Sequence, residues 1–404
     1  MRSLFSSIKK ERLVAVFDIG SGSVGGAIVK VPEASQINKK RPEIIAETRF
    51  DIKSKNDFKI DFESFTKDML NALGKTARSL FDLKVGAPEE IFCMLASPWY
   101  DSEIKTIKES NLKKITIDNN LINRLTKKET EVINKEYNYR FPLVKDRRLV
   151  IEQYVSSFVL DGVLTSSPFN KKARNIEMNL VVSVSPKILI GQIKEVVKKS
   201  FSTDKIDFMS FASASYLVIR DSFEVNKDTY FLIDIAGQTT DLVAVEKGFI
   251  KAFRSFPFGS NNLYRYLANK FNLDWREARN LFKLYLGGNL SLAMHKKTYN
   301  EVTFLEQTWS RKLDQEIDKI KEEGIKTSKN FFLTADRDVK ELFTGIIYWA
   351  ERDETLLNQN KGVSIVALDG PLFLHNYYDK KCRFDPFLAI ATLALTKEKI
   401  KTYD

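Results

Sequence analysis

The distribution of apolar and polar residues along the chain predicts a mixed α/β protein. Two short segments share one pattern, 13–30 (LVAVFDIGSGSVGGAIVK) and 229–248 (TYFLIDIAGQTTDLVAVEKG). Each has an apolar β-branched run, an Asp-Ile pair, a turn of small residues and a second apolar run. This order predicts a strand, a tight turn and a returning strand. The same hairpin is therefore expected twice.

The remaining periodicities predict further helices and strands around these hairpins. Apolar residues recur at helical spacing in several stretches: 62–83, about 120–136, 186–201, 212–223, 275–283, 306–329, 340–357 and 386–400. Short apolar runs typical of buried strands occur at 90–96, 148–160, 176–185 and 363–374. A chain of 404 residues with this alternation is long enough for at least two domains.

Composition excludes several classes of protein. An apolar content of 43% is normal for a soluble globular chain, and no apolar run is long enough for a membrane-spanning helix. The first residues lack the long apolar core of a secretory signal. Two distant cysteines, Cys93 and Cys382, are expected as unpaired thiols in a reducing cytosol, and with only two histidines a transition-metal site is not expected.

The net charge of +11 does not by itself identify a partner. A basic balance is compatible with nucleic acid or with an anionic membrane surface. The sequence has no zinc-ligand spacing, no aromatic-rich RNA motif and no isolated basic arm. We therefore expect no nucleic-acid partner.

The two turns carry the candidate chemistry. A turn rich in Gly, Ser and Thr offers backbone N–H groups and hydroxyls without bulk, which suits a phosphate chain. The aspartates before the turns, Asp18 and Asp234, are the candidate catalytic residues and would hold Mg²⁺ through water. The candidate phosphate-binding residues are Gly20, Ser21, Ser23, Gly237, Gln238, Thr239 and Thr240. Facing hairpins of this kind would clamp a nucleoside triphosphate, whereas one such hairpin alone is equally typical of an ordinary structural turn.

The paired turns resemble the two phosphate motifs of the actin-like ATPase superfamily, which includes actin, sugar kinases, chaperone ATPases, FtsA and PilM. The order of segments extends the resemblance from Val14 to about Leu395, with EEIFCMLASP, RLVIEQYVSSFVLDGV and IEMNLVVSVSPKILIGQIKEVVKKSF similar to successive FtsA segments. It implies an α/β, two-lobed actin-like ATPase (ribonuclease H-like) fold with an FtsA/PilM-type inserted subdomain.

The resemblance also implies a division of the chain. The first lobe would comprise 12–86 and 179–226, with a C-terminal helix at 386–404. An SHS2-like insert would occupy 87–178. The second lobe would comprise 227–385, with a helical subdomain at about 259–361.

Three further positions match nucleotide-contacting positions of the family. Gly259 ends the segment FPFG after a strand. Glu277 matches a glutamate that contacts ribose in relatives, although an exposed helix-surface carboxylate explains it equally well. Gly370 stands where relatives have paired glycines against adenine, and here it is flanked by Asp369 and Pro371, which puts adenine binding in doubt.

Other differences from the family pattern affect the expected rate of ATP hydrolysis. Ala236 stands where the family usually has glycine, and residues 209–217 (MSFASASYL) contain no carboxylate or amide to orient a water molecule. The resemblance therefore implies a weak ATPase at most. A degenerate scaffold without nucleotide stays open, as does a small-molecule kinase with Asp51 or Asp161 as its base, although no motif frames either aspartate.

The resemblance implies a cytoplasmic ATP-binding scaffold similar to FtsA, which self-associates and joins a membrane protein complex in cell division. A PilM-like role in type IV pilus assembly is the alternative. The basic C-terminal helix of FtsA has no counterpart in 397–404. In residues 1–10, Leu4, Phe5 and Ile8 share a helical face beside basic residues, which is compatible with peripheral contact with the inner face of the membrane. The segment is short, so a frayed N-terminus is the other interpretation.

Overall fold

The computed structural model describes residues 11–33, 40–52, 61–135, 148–165, 167–223, 225, 228–350, 362–373, 375–379 and 385–396. The described residues form three sheets of six, five and four strands. The two larger sheets belong to two lobes, and the smallest sheet belongs to an insert. The predicted membrane-contacting segment 1–10, Cys382 and residues 397–404 lie outside the described residues.

The first lobe contains the six-stranded sheet. Its strands are β1 Arg12–Ile19, β2 Ser23–Val31, β3 Glu43–Asp51, β4 Glu90–Leu95, β9 Ile206–Ser210 and β15 Tyr378–Asp379, and they lie in the order β15–β3–β2–β1–β4–β9. The helices of the first lobe are α1 Phe62–Asp82, α3 Lys187–Lys198, α4 Phe211–Ser222 and α9 Pro386–Ala394. Helix α1 packs on β2 and β3, and α9 packs on β1 and β2.

Local sequence explains these elements. Residues 14–19 of β1 are all buried, as expected for a central strand that is covered on both faces. Helix α1 begins after Asp61, whose carboxylate accepts a hydrogen bond from the Ser64 backbone N–H. The helix then buries one apolar stripe, which includes Phe65, Met69 and Leu73.

The second lobe repeats the order of five of the six strands of the first sheet. Its strands are β10 Tyr230–Ile235, β11 Thr240–Glu246, β12 Phe249–Phe256, β13 Asn330–Ala335 and β14 Ser364–Ala367. They run in the order β12–β11–β10–β13–β14, which corresponds to β3–β2–β1–β4–β9. Strand β10 pairs antiparallel with β11 and parallel with β13, just as β1 pairs with β2 and β4. The duplicated hairpin therefore begins a duplicated sheet.

The helices of the second lobe are α5 Ser260–Phe271, α6 Trp275–Leu286, α7 Leu292–Glu322 and α8 Lys340–Ala350, and a 3₁₀ turn spans Gly370–Phe373. The sequence analysis missed β13. Helix α7 ends near Gly324, whose φ of 77° is left-handed, and the chain then enters the sheet instead of continuing as a helix to residue 329. No helix among the described residues is long and apolar enough to cross a membrane.

The insert is a four-stranded sheet with one helix. Its strands are β5 Asp101–Thr116, β6 Arg148–Leu160, β7 Val163–Thr165 and β8 Lys172–Pro186, and its helix is α2 Asn119–Lys135. The sheet therefore covers a later stretch than the expected 87–178. Strand β4, which the sequence analysis assigned to the insert, pairs with β1 and β9 in the first lobe. Strand β5 was missed because its polar side chains alternate towards solvent.

Candidate functional site

The tips of the two hairpins meet at the boundary between the lobes. A Cβ atom placed on Gly237 of the second turn would lie 2.5 Å from the Cα of Gly22 in the first turn. The Gln238 backbone N–H donates a hydrogen bond to Ser21 Oγ at 3.0 Å. Glycine permits this approach because it has no side chain. The two turns are thus packed against one another.

A cleft of about 590 Å³ lies beside the turns. This volume falls within the range typical of small-molecule sites, about 300–1,000 Å³. The side chains and backbone that line it come from both lobes and include Gly22, Ser23, Arg49, Asp51, Asn261, Tyr264, Trp275, Arg279, Asp336, Lys340, Asp369, Asp385 and Phe387. Three aromatic rings and many charged groups therefore share one cleft.

Asp18 lies at the end of β1 and is only 2% exposed. Its Oδ2 accepts a hydrogen bond from Arg49 Nη2 at 2.8 Å. Its Oδ1 is buried and has no hydrogen-bond partner. Burial raises the pKa of Asp18 to about 6, although the charge of Arg49 acts in the opposite direction.

Arg49, on β3, was not anticipated as a site residue. It donates through Nη1 to Ser23 Oγ at 2.9 Å and through Nε to Asp385 Oδ2 at 2.7 Å. Burial alone would lower the pKa of Arg49, but the charges of Asp385 and Asp18 outweigh it and hold the pKa above its usual value. The guanidinium group is therefore a fixed positive charge on the wall of the cleft.

Two further carboxylates of the second lobe lie near Asp18: Asp234, which is buried, and Asp336, which is half-buried. Asp234 Oδ1 accepts a hydrogen bond from Thr334 Oγ1 at 2.7 Å. Burial raises the pKa of Asp234 well above its usual value, and the charges of Asp241, Asp18 and Asp336 add to the shift. The pKa of Asp336 is raised by burial as well. The charges of Asp18, Asp234 and Asp336 therefore disfavour one another's ionised forms.

The surroundings of Asp18 do not fit the water-mediated magnesium site that the sequence predicted. Hydrated Mg²⁺ needs carboxylate oxygens that its water shell can reach. At Asp18, however, Oδ2 is bound by Arg49 and Oδ1 is closed off from solvent. Among the described residues there is also no group of three or more His, Cys, Asp or Glu side chains that could hold a metal ion.

The other predicted phosphate-binding groups are used within the protein. The Gly20 backbone N–H donates to the Ser23 carbonyl at 3.1 Å and closes the first turn. In the second turn three side chains are engaged: Gln238 Oε1 accepts from Arg265 Nη2 (2.5 Å), Thr239 Oγ1 donates to the Ser97 carbonyl (3.4 Å) and Thr240 Oγ1 donates to the Phe258 carbonyl (2.6 Å). A phosphate chain would have to displace such contacts.

Gly259 packs directly on the second turn. A Cβ atom there would lie 2.6 Å from the carbonyl carbon of Gly237. The first two N–H groups of α5, those of Ser260 and Asn261, donate to the carbonyls of Ala236 and Gly237 at 2.9 and 2.8 Å. These two N–H groups at the N-terminus of α5 are therefore already hydrogen-bonded to the second turn.

Glu277 and Gly370 lie apart from the cleft lining. Glu277 is exposed, and its Oε2 accepts from the Asp274 backbone N–H at 2.8 Å, which caps α6. Arg279, two residues later on the same helix, lines the cleft instead. Gly370 is buried at the start of its 3₁₀ turn, whereas both of its sequence neighbours line the cleft.

Four cationic side chains line the cleft, and three of them, those of Arg49, Arg279 and Lys340, are paired with carboxylates, whereas Arg337 is exposed. Arg279 binds Asp338 through Nε at 2.7 Å, and its Nη1 lies 3.2 Å from Asp51 of the first lobe. Lys340 binds Asp369 at 2.7 Å. Arg49 is paired with Asp18 and Asp385. Much of the positive charge that a triphosphate would need is therefore already neutralised.

The two aspartates considered as kinase bases lie in different parts of the molecule. Asp51 is at the cleft. Asp161 is in the turn between β6 and β7 of the insert, where its Oδ1 accepts from the backbone N–H groups of Arg174 and Asn175. The structure does not bring them together.

The repeated sheets, the paired turns between the lobes and the insert define an actin-like ATPase fold, as the sequence predicted. No protein-family model matches the chain, and no curated protein matches it by sequence. A chain of the PilM–PilN type IV pilus biogenesis complex has the same fold, with a TM-score of 0.60 and 13% sequence identity over 96% of this chain and 98% of that chain.

Two other solved structures are more distant. A Bacteroides thetaiotaomicron protein with an actin-like ATPase fold and unknown function shares 10% identity over 98% of this chain and 99% of its own, with a TM-score of 0.41. The ethanolamine utilization protein EutJ from Carboxydothermus hydrogenoformans shares 12% identity over 96% of this chain and 90% of its own, with a TM-score of 0.42. Scores this low carry no functional argument.

Proposed function

We propose that this chain is a cytoplasmic, PilM-like scaffold that binds a protein partner within a membrane-associated assembly and does not act as an efficient enzyme. The observation that carries the proposal is the likeness to a chain of the PilM–PilN complex. It covers 96% of this chain, a share large enough to include the insert. A division role similar to that of FtsA is the second candidate, on the sequence resemblance alone.

The side chains inside the cleft favour a role as a scaffold and not as a phosphoryl-transfer enzyme. Phosphoryl transfer depends on positioning and on neutralising the charge of the transferred group. Here Arg49, Arg279 and Lys340 already neutralise protein carboxylates. The start of α4, where relatives orient water, is a buried run of apolar and small residues without a carboxylate.

In this role, an adenine nucleotide would bind in the cleft as a structural ligand. The cleft has a suitable volume, and Tyr264 and Trp275 give it aromatic walls. Entry of a triphosphate between the turns would require Gly22 and Gly237 to separate. Bound nucleotide would then change how the lobes meet, and self-association or partner binding would follow that change.

The experiment uses the purified full chain, freed of nucleotide, with a fluorescent ATP analogue and recombinant cytoplasmic segments of pilus and division proteins from the same genome. We expect saturable capture of a pilus inner-membrane segment, binding of the analogue, and phosphate release no faster than in buffer. Trp275→Ala should weaken analogue binding, whereas Phe304→Ala, on an exposed face outside the cleft lining, should not.

Each alternative function predicts a different result in this experiment. Capture of a division segment instead would favour the FtsA-like role. Saturable phosphate release that Trp275→Ala abolishes would identify an ATPase or kinase and contradict the proposal. Failure to bind either kind of segment, together with no oligomer in ATP, would contradict both scaffold roles.

A further inference from the structure

We propose that Arg49 is the resident cation of this site: its guanidinium takes the position beside Asp18 at which a divalent cation was expected, so the site does not bind magnesium. The proposal rests on the contacts of Arg49 and does not require the proposed scaffold function. Where a nucleotide does bind in the cleft, its binding is expected to be independent of magnesium.

The sheet register explains how Arg49 reaches Asp18. Asp18 of β1 lies opposite Gly25 of β2, and Gly25 lies opposite Arg49 of β3. Asp18 and Arg49 are therefore two strands apart, about 10 Å between strand axes. The Arg49 side chain spans this distance by passing over Gly25.

Gly25 provides the space for this passage. A Cβ atom at Gly25 would lie 2.7 Å from the Cζ of Arg49. Any side chain at position 25 would therefore displace the guanidinium. The glycine and the arginine form a matched pair across β2 and β3.

Other contacts fix the guanidinium in place. Asp385 accepts two hydrogen bonds from it, at 2.7 and 3.0 Å. The same carboxylate caps α9 by accepting from the Phe387 and Leu388 backbone N–H groups. The guanidinium also lies over the Phe387 ring, 5.3 Å from its centroid. Bidentate and stacked contacts of this kind suit arginine and not a mobile ion.

The arrangement leaves no oxygen of Asp18 that a hydrated divalent cation can reach. One carboxylate oxygen accepts from Arg49, and the other is buried without a partner. A second cation beside the guanidinium would be repelled by it. Two of the contacts that join the lobes, Ser21 with Gln238 and Asp51 with Arg279, are direct.

The first experiment measures binding of Mn²⁺ alone to nucleotide-free protein by electron paramagnetic resonance. We expect wild type to bind no more Mn²⁺ than Asp18→Asn. Arg49→Gln should gain one site, with affinity higher by about tenfold or more because the fixed cation is gone. The gain should be absent in the Asp18→Asn/Arg49→Gln double variant. One Mn²⁺ bound by wild type and lost in Asp18→Asn would overturn the proposal.

The second experiment uses thermal unfolding with Mg²⁺ or EDTA. Arg49→Gln should unfold at a lower temperature than wild type, and Mg²⁺ should restore part of the loss. The double variant should show no such rescue, and wild type should be indifferent to EDTA. If Arg49→Gln alone does not fold, the comparison of Mn²⁺ binding by wild type and Asp18→Asn still decides the question.

A third measurement separates this proposal from the proposed function. The affinity of the fluorescent ATP analogue is compared in EDTA and in Mg²⁺, and we expect the two values to agree within about threefold. A preference for Mg²⁺ of about tenfold or more, lost in Asp18→Asn, would contradict the resident-cation proposal. Absence of nucleotide binding in both conditions would remove the nucleotide from the proposed function, while the Mn²⁺ result would still test Arg49.

Discussion

Gly237 lies against Gly22 with no side chain between them, so the two lobes touch backbone to backbone at the turns. A Cβ on Gly237 would come within 2.5 Å of the Cα and N atoms of Gly22. The spacing between the turns is thus set by the absence of two side chains. A substitution at position 237 acts on both lobes at once.

We expect Gly237→Ala to destabilise the protein by about 1–3 kcal/mol, the usual range for overpacking a tight contact. Denaturant unfolding should show the loss, and hydrogen exchange should rise in both turns. The control is Gly191→Ala in α3, where a Cβ would meet nothing within 4 Å. That change should be neutral or slightly stabilising. Equal behaviour of the two variants would show that the turns do not rely on this contact.

Thr240 was predicted to bind phosphate, but its buried hydroxyl also accepts a hydrogen bond from Trp309 Nε1 at 2.9 Å. Thr240→Val would leave this indole N–H without its partner, at a cost of about 1–3 kcal/mol. Thr308→Val, where the hydroxyl bonds its own helix at the surface, should have little effect on unfolding. A Thr240→Val protein of wild-type stability would contradict a structural role for this hydroxyl.

The ion pair between Asp51 and Arg279 joins the lobes across the cleft, at 3.2 Å. The Asp51 side chain is 60% exposed, and exposed pairs contribute about 0–1 kcal/mol. A double-mutant cycle of Asp51→Asn and Arg279→Gln should give a coupling energy in this range, smaller in high salt. A coupling of about 3 kcal/mol would instead indicate a buried pair, and thus a tighter closure of the lobes.

Asp241 should make stability depend on pH. Burial raises the pKa of Asp241 to about 6 from a usual value of 3.8, although hydrogen bonds from side chains such as Ser255 lower it. The folded protein therefore holds this proton more tightly than the unfolded chain, and the contribution of Asp241 to stability is lost as the pH rises from about 4 to about 6.

Asp241→Asn removes this titration. Relative to wild type, the variant should gain stability between pH 4 and pH 7, as measured by urea unfolding across that range. Taking the difference from wild type cancels the contributions of the other buried carboxylates. Asp318→Asn, on an exposed face of α7, is the matched surface control. A difference in stability between Asp241→Asn and wild type that does not change with pH would refute the assignment.

Features encoded over short stretches were predictable. The hairpins follow from apolar runs around small-residue turns, and β1, β2, β10 and β11 lie where these runs predicted. Helix α1 follows from its apolar stripe. Strand β13 was missed because its six residues, NFFLTA, are too few to show a period, and only pairing with β10 reveals their role.

The chemistry of the cleft was less predictable because it depends on contacts between distant segments. Arg49 meets Asp18 and Asp385 only through the sheet register and the capping of α9. Gly25 was visible in the sequence, but nothing local shows that it makes room for an arginine. Asp336 follows β13, so it was overlooked together with that strand.

The first sheet gathers strands from both ends of the chain, whereas the second is built from one continuous stretch. Strand β1 begins at Arg12, yet it is covered by α9, which begins at Pro386. During synthesis, every strand of the second sheet would therefore leave the ribosome before α9, the helix that covers the first sheet. For most of its synthesis the nascent protein would expose apolar surface of β1 and β2, and we expect chaperones to bind that surface until α9 emerges.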